Sequence, residues 1–204
     1  MKKVLAHKSQ VWLFTTLTLV ACYSSTYSQL NNTWLIGNQP LTTVLKARMV
    51  FDSTNYVLTQ ENRKMGFEGT EATISDANGN LLMSSNGVWI ADATGDTMMN
   101  GSGLNPGAEV NAYPKGLLLP YANIILPYPN DTNKYVLFHH TCEWDGVSYP
   151  SYQVFYTVID MTLNGGLGGV DSSQKNVIAL QDTLGWGLAA CRHANGRDWW
   201  IVVQ

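Results

Sequence analysis

Two short segments of the chain combine side chains that can bind zinc. His139, His140 and Cys142 stand close together, and Cys191 and His193 follow about fifty residues later. Neighbouring residues on a strand point to opposite faces, so His139 and His140 cannot both reach one ion. The chain also has no Cys-x-x-Cys pair among these residues. We therefore predict no metal site and no other cofactor.

Asp76, Asn78 and Asn80 alternate like the first ligands of a calcium loop. The match ends there, because Leu81 replaces the required glycine and Gly87 replaces the bidentate glutamate. An ordinary hairpin is the prediction for this segment.

No pattern in the chain activates a nucleophile. The Gly-x-Ser-x-Gly elbow is absent. Carboxylates are available for a glycosidase pair, but their separation in space decides that chemistry. We predict no catalytic residue, and a glycan hydrolase stays as an alternative. The carboxylates in question are Glu71, Asp76, Glu109, Glu143, Asp145 and Asp160.

Tryptophans are the side chains most typical of a binding surface. Trp144, Trp186 and Trp199 are candidates to stack on sugar rings or to bury in a protein partner. Trp199 and Trp200 are adjacent in a predicted strand, so one of the two faces the core. Packing between neighbouring sheets is the alternative role for these rings.

Short apolar runs bounded by Gly, Asn, Asp and Pro dominate the chain, and helical periodicity is nearly absent. The sequence predicts hairpins with type I′ turns at Asn78-Gly79 and Asn195-Gly196. With a longer turn at 129–133, these units recur at roughly 55–60 residues, which is typical of propeller blades. The predicted fold is all-β, with repeated antiparallel sheets in a partial β-propeller, and a β-sandwich is the alternative. The strands are predicted at 45–51, 72–75, 81–84, 88–91, 117–119, 123–126, 135–139, 153–159, 176–180, 187–191 and 199–203.

Charge argues against nucleic acid as a partner. The net charge is −3, charged residues make up 13% of the chain, and no Lys/Arg cluster follows the first eight residues.

The first 28 residues have the pattern of a signal peptide. Lys2, Lys3 and Lys8 precede an apolar run at 11–21 that is too short to span a bilayer. Cleavage is predicted after Ser28. Alternatively, residues 19–22 (LVAC) form a lipobox and Cys22 carries a lipid. We predict an exported protein, secreted or at the cell surface, with a β domain at 29–204 and no transmembrane segment after signal removal.

Export leaves Cys142 and Cys191 in an oxidising compartment, where they either pair in one disulfide or remain separate buried thiols.

Four segments resemble a family of large exported Bacteroidetes proteins. These segments are NGNLL at 78–82, DTMMNGSGLNPG at 96–107, VIDMTLNGGLG at 158–168 and HANGRDWW at 193–200. The resemblance implies a propeller-like N-terminal region, export with the help of type IX secretion machinery, and a C-terminal sorting domain. This chain has no sorting domain, so we expect it to be a fragment of a longer protein.

The function expected from these observations is noncatalytic recognition or scaffolding on a bacterial surface protein, with an extracellular protein or glycan as the partner. A hydrolase whose site is completed by further blades and a structural spacer are the alternatives.

Export predicts that the mature protein lacks residues 1–28, because signal peptidases cut after small residues. N-terminal sequencing of secreted material checks this, and retention of Met1 would contradict it. Palmitate labelling that is lost in Cys22→Ser would select the lipoprotein alternative.

Overall fold

The computed structural model describes residues 31–38 and 46–204, and the regular structure there is nearly all strand. This confirms the all-β class. The described part also holds one short helix, α1 (Ala108–Ala112), and 3-10 turns at Asn164–Gly166 and Ser172–Gln174. The strands are β1 (Thr33–Ile36), β2 (Lys46–Phe51), β3 (Tyr56–Glu61), β4 (Ala72–Ser75), β5 (Leu81–Ser85), β6 (Trp89–Asp92), β7 (Thr97–Ser102), β8 (Asn123–Pro127), β9 (Lys134–His140), β10 (Ser151–Asp160), β11 (Gly169–Val170), β12 (Val177–Leu184), β13 (Leu188–Arg192) and β14 (Trp199–Val203).

The predicted signal peptide, Cys22 and the first residue of the strand predicted at 45–51 lie outside the described residues. Within them, no helix is both long and apolar enough to cross a bilayer.

Antiparallel pairing organises the strands into successive sheets. β1, β2 and β3 form one sheet, and β13 and β14 form another. Between them a continuous sheet runs in the order β4-β5-β6-β7-β11-β10-β9-β8, and β12 pairs with β10. β7 and β11 make one parallel contact. The two ends of this path, β4 and β8, contact each other, so the sheet nearly closes on itself.

The strands β4, β8 and β13 lie side by side, and they start at the same end of the molecule. The hydroxyl of Thr70, just before β4, donates to the carbonyl of Leu119, just before β8. The backbone N–H of Leu188 at the start of β13 donates to the carbonyl of Tyr121. We call this side of the molecule the loop end.

The main core lies where strands β4–β7 face strands β8–β11. A smaller core joins β1 to the other face of β5 and β6 through Leu35, Met65, Phe67, Leu81 and Ala91. Burial of these apolar side chains stabilises the contact between sheets. The main core consists of Ala72, Ile74, Met83, Ile90, Met98, Leu104, Ile125, Tyr135, Leu137, Ile159 and Val170.

Most predicted strands are present within a few residues, but the strand predicted at 117–119 is wrong. Leu117 and Leu119 are buried, yet this segment forms no ladder. Its backbone bonds go to loops instead. The carbonyl of Leu117 accepts from the N–H groups of Gly69 and Thr70, and its N–H donates to Asn86. The prediction also omitted β1, β3, β7 and β11.

Both Asn-Gly pairs lie in hairpins with a left-handed glycine, as predicted, but the turn type differs. Gly79 has φ 84° and Gly196 has φ 70°, whereas the preceding asparagines do not have positive φ. The N–H of Gly79 donates to the carbonyl of Asp76 at 3.0 Å. The turn is therefore type I followed by a glycine bulge, and type I′ is wrong.

Gly79→Val and Gly196→Val are each expected to lower the free energy of unfolding by about 1 kcal/mol or more, because a β-branched residue is strained at positive φ. Gly79→Asn and Gly196→Asn are the matched controls, since asparagine tolerates this conformation. Urea denaturation of the four variants checks this. Equal losses for valine and asparagine would contradict it.

Candidate functional site

The structure brings two of the predicted tryptophans together on one aromatic cluster at the loop end. The rings of Trp144 and Tyr149 have centroids 4.8 Å apart. The indole N–H of Trp186 donates to the carbonyl of Tyr149 at 2.8 Å, and the hydroxyls of Tyr113 and Tyr149 are 3.1 Å apart. Trp144 and Trp186 remain about half exposed. Tyr113, Trp144, Tyr149 and Trp186 form what we call the aromatic cluster.

Trp199 lies outside the aromatic cluster, at the opposite end of β8, where it holds β14 against β8. Its indole N–H donates to the carbonyl of Pro127 at 3.1 Å, at the far end of β8. The guanidinium of Arg192 lies 5.2 Å from its ring centroid. Trp199 therefore anchors β14 to β8 and is not part of the aromatic cluster.

The buried imidazole of His139 has structural partners on both ring nitrogens. Its Nδ1 is 2.7 Å from Oδ1 of Asn105, and its Nε2 is 2.9 Å from the hydroxyl of Thr157. The Asn105 amide donates to the Gly87 carbonyl, so Oδ1 is free to accept from Nδ1–H. Burial, with smaller effects of His140 and Lys175, lowers the pKa of His139 to about 3. A permanently neutral, fully paired ring is a structural element and a poor general base.

His140, Cys142 and Cys191 do not come together as the ligands of one metal site. Nδ1 of His140 bonds to Ser151 at 2.8 Å, while its buried Nε2 makes no hydrogen bond of acceptable geometry. Burial lowers the pKa of His140, and the backbone of Gly187 partly opposes that effect. Cys142 is buried, which raises its pKa to about 11, and Cys191 is exposed. Both thiols are free in this structure, and Cys191 is exposed, whereas the second alternative expected two buried thiols. The described residues contain no cluster of three or more His, Cys, Asp or Glu that could hold a metal.

A groove of about 460 Å³ opens between β1 and the start of β4. Its walls carry two strongly exposed aromatic side chains, Trp34 at 52% and Tyr121 at 77%. The ring of Trp34 is supported from behind by Phe51, edge-on at a centroid distance of 5.0 Å. The lining residues are Trp34, Leu35, Ile36, Gly69, Glu71, Ala72, Thr73, Pro120 and Tyr121. We call this feature the groove.

The β1 wall of the groove is held by the buried guanidinium of Arg63, whose side chain is 6% exposed. Arg63 donates to the carbonyls of Ile36 at 2.8 Å, Ala47 at 3.0 Å and Met65 at 3.1 Å. It also pairs with Glu61 at 2.7 Å. One side chain thus ties β1, β2 and β3 to the segment that leads into β4.

The opposite rim of the groove is the irregular segment 117–121. Thr70 and Asn86, both fully buried, hold this segment by hydrogen bonds to Leu119 and Leu117. Tyr121 ends the rim with φ 57°, a left-handed conformation that is costly for a bulky side chain. Its carbonyl is satisfied by β13, and its ring projects into solvent.

Glu71 supplies the carboxyl group of the groove. Its side chain is exposed, but protein atoms around the carboxyl desolvate it in part and raise its pKa. The positive charge of Arg63 acts in the opposite direction and lowers the pKa. The hydroxyl of Thr73 lies beside it but is directed to the carbonyl of Thr33 at 3.4 Å.

The sequence reasoning missed most of this groove. Sequence patterns indicate Glu71 only as one of six possible glycosidase carboxylates. They do not indicate Trp34 or Tyr121 as binding residues. The alternation of Trp34-Leu35-Ile36 is a strand signal that could have identified the β1 wall. Nothing local marks Tyr121, because its position depends on contacts with β13.

Glu71→Gln is expected to raise the melting temperature slightly at neutral pH. The folded pKa of Glu71 lies above its usual 4.5, so the wild type loses stability as the pH rises through that pKa. Glutamine cannot ionise, and the gap should close below about pH 4, where both side chains are neutral. Calorimetry from about pH 3.5 to about pH 7 measures this, with Glu68→Gln, outside the groove, as the control. A wild type that gains stability over Glu71→Gln as the pH rises would contradict it.

Comparisons with protein-family models, with curated proteins and with solved structures found no match to this chain.

Proposed function

We propose that this protein is an exported, noncatalytic recognition module that binds an extracellular protein or glycan at its loop end. The observation that supports this most is the groove, which exposed Trp34 and Tyr121 line together with Glu71. Ligand sites typically combine apolar walls with a few placed polar groups.

The groove and the aromatic cluster are neighbours, which supports a shared binding surface. Trp186 and Leu188 are two residues apart, and the N–H of Leu188 bonds to the carbonyl of Tyr121 at 3.0 Å on the groove rim. Rigid aromatic side chains with anchored polar atoms lose little conformational entropy when a partner binds. Such residues commonly dominate the binding energy of an interface.

The raised pKa of Glu71 is the observation that favours a glycan hydrolase as a second candidate, since a general acid needs such a shift. A glycosidase also needs a second carboxyl at about 5 to 9.5 Å. Glu71 is the single carboxyl among the described residues that line the groove. Binding is therefore the function we put forward.

Recognition predicts saturable binding without turnover. The full chain is assayed on arrays of oligosaccharides and extracellular proteins, and bound oligosaccharides are examined by mass spectrometry for cleavage. We expect retained ligand and no products. Cleavage that disappears in Glu71→Gln would establish the hydrolase instead. Absence of saturable binding on both arrays would favour the structural spacer.

A further inference from the structure

The charges around the groove restrict the ligands that it can accept. Its lining contains no Lys, Arg or His among the described residues, and its one carboxyl repels anions. Arg63 lies near enough to act on Glu71, but three carbonyls and Glu61 already accept hydrogen bonds from its guanidinium. An anionic ligand would therefore meet a negative charge with no donor cation to offset it.

A strongly cationic ligand is also disfavoured. Arg63 is permanently charged and acts on Glu71 from behind the β1 wall, so it offsets part of the negative potential of Glu71, although Glu61 shares its charge. A lysine or arginine side chain that approached Glu71 would therefore gain less than it would from an isolated carboxylate. The remaining ligand class is neutral, with apolar faces for two aromatic rings and donors for one carboxylate.

We propose that the groove binds a neutral saccharide, with sugar rings stacked on Trp34 and Tyr121 and a hydroxyl donated to Glu71. A sugar ring offers C–H faces to aromatic rings and O–H donors at its edge, which suits these three side chains. The groove volume of about 460 Å³ is within the range of small-ligand sites. This inference rests on the recognition function proposed above and names its ligand class.

The backbone of Tyr121 supports a binding role for its ring. A left-handed tyrosine costs stability, and glycine would adopt the same φ of 57° without strain. The carbonyl of residue 121 would still accept from Leu188, so the structure needs the conformation but not the side chain. Strained bulky residues of this kind concentrate at functional sites.

The test is calorimetric titration of the full chain with neutral trisaccharides of glucose, galactose, mannose and N-acetylglucosamine. Trigalacturonate and trilysine serve as the anionic and cationic probes. We expect at least one neutral trisaccharide to bind, with an affinity that changes little between about 50 and about 500 mM NaCl, because the ligand carries no charge. Tyr121→Gly and Trp34→Ala should each weaken this binding about tenfold or more.

Two controls keep a folding defect apart from a binding defect. Tyr121→Gly should keep or raise the melting temperature while it loses binding, since it relieves a strained backbone. Trp200→Ala removes an equally exposed tryptophan outside the groove and should bind like the wild type.

Three results would overturn the inference, and each has a different meaning for the proposed function. Saccharide binding that survives Tyr121→Gly and Trp34→Ala would move the site elsewhere and leave recognition intact. Binding of trilysine or trigalacturonate without any neutral trisaccharide would change the ligand class. Failure of every probe in this titration and on both arrays would remove the recognition function itself.

Discussion

The buried guanidinium of Arg63 is the interaction on which the candidate site depends. β1 is short, and its pairing with β2 alone does not fix its position against β4. Arg63 supplies that link, because its donors reach carbonyls on β1 and β2 and at Met65, and Glu61 balances its charge. Loss of one partner of a buried ion pair typically costs about 3 to 5 kcal/mol, since the other charge stays buried. The β1 wall of the groove forms because the buried charge of Arg63 has its hydrogen-bond and ionic partners at this place.

Neutral polar groups hold the rim of the groove opposite β1 by hydrogen bonds to its backbone, as Arg63 holds the β1 wall. The segment 117–119 is buried without a ladder, so its backbone groups need other partners. Thr70 and Asn86 provide them from fully buried positions. His139 does the same deeper in the fold, where it connects Asn105 to Thr157. These hydrogen bonds stabilise the irregular segment between the sheets. Tyr121, at the end of this segment, therefore lies at the groove.

Local sequence patterns predicted the strands well and the site poorly. Apolar runs and left-handed glycines have local causes, so β4, β5, β8, β9, β10 and β14 could be located from the sequence. β3 was missed because its residues are almost all exposed and show no alternation of burial. The groove joins Trp34, Glu71 and Tyr121, which are far apart in the chain and belong to no motif. Only the contact of β1 with β4, and of Tyr121 with β13, brings them together.

The charges of Glu71 and Arg63 bear on why we propose binding, and not catalysis, for this groove. Desolvation raises the pKa of Glu71, while Arg63 lowers it, so the carboxyl is shifted less than burial alone would shift it. A glycosidase also needs a second carboxyl across the substrate, and Glu71 is the single carboxyl among the described residues that line the groove. A carboxylate that stays ionised still accepts strong hydrogen bonds from hydroxyl groups. Arg63 therefore fixes the wall of the groove and, by its positive charge, also favours the ionised form of Glu71, which accepts hydrogen bonds.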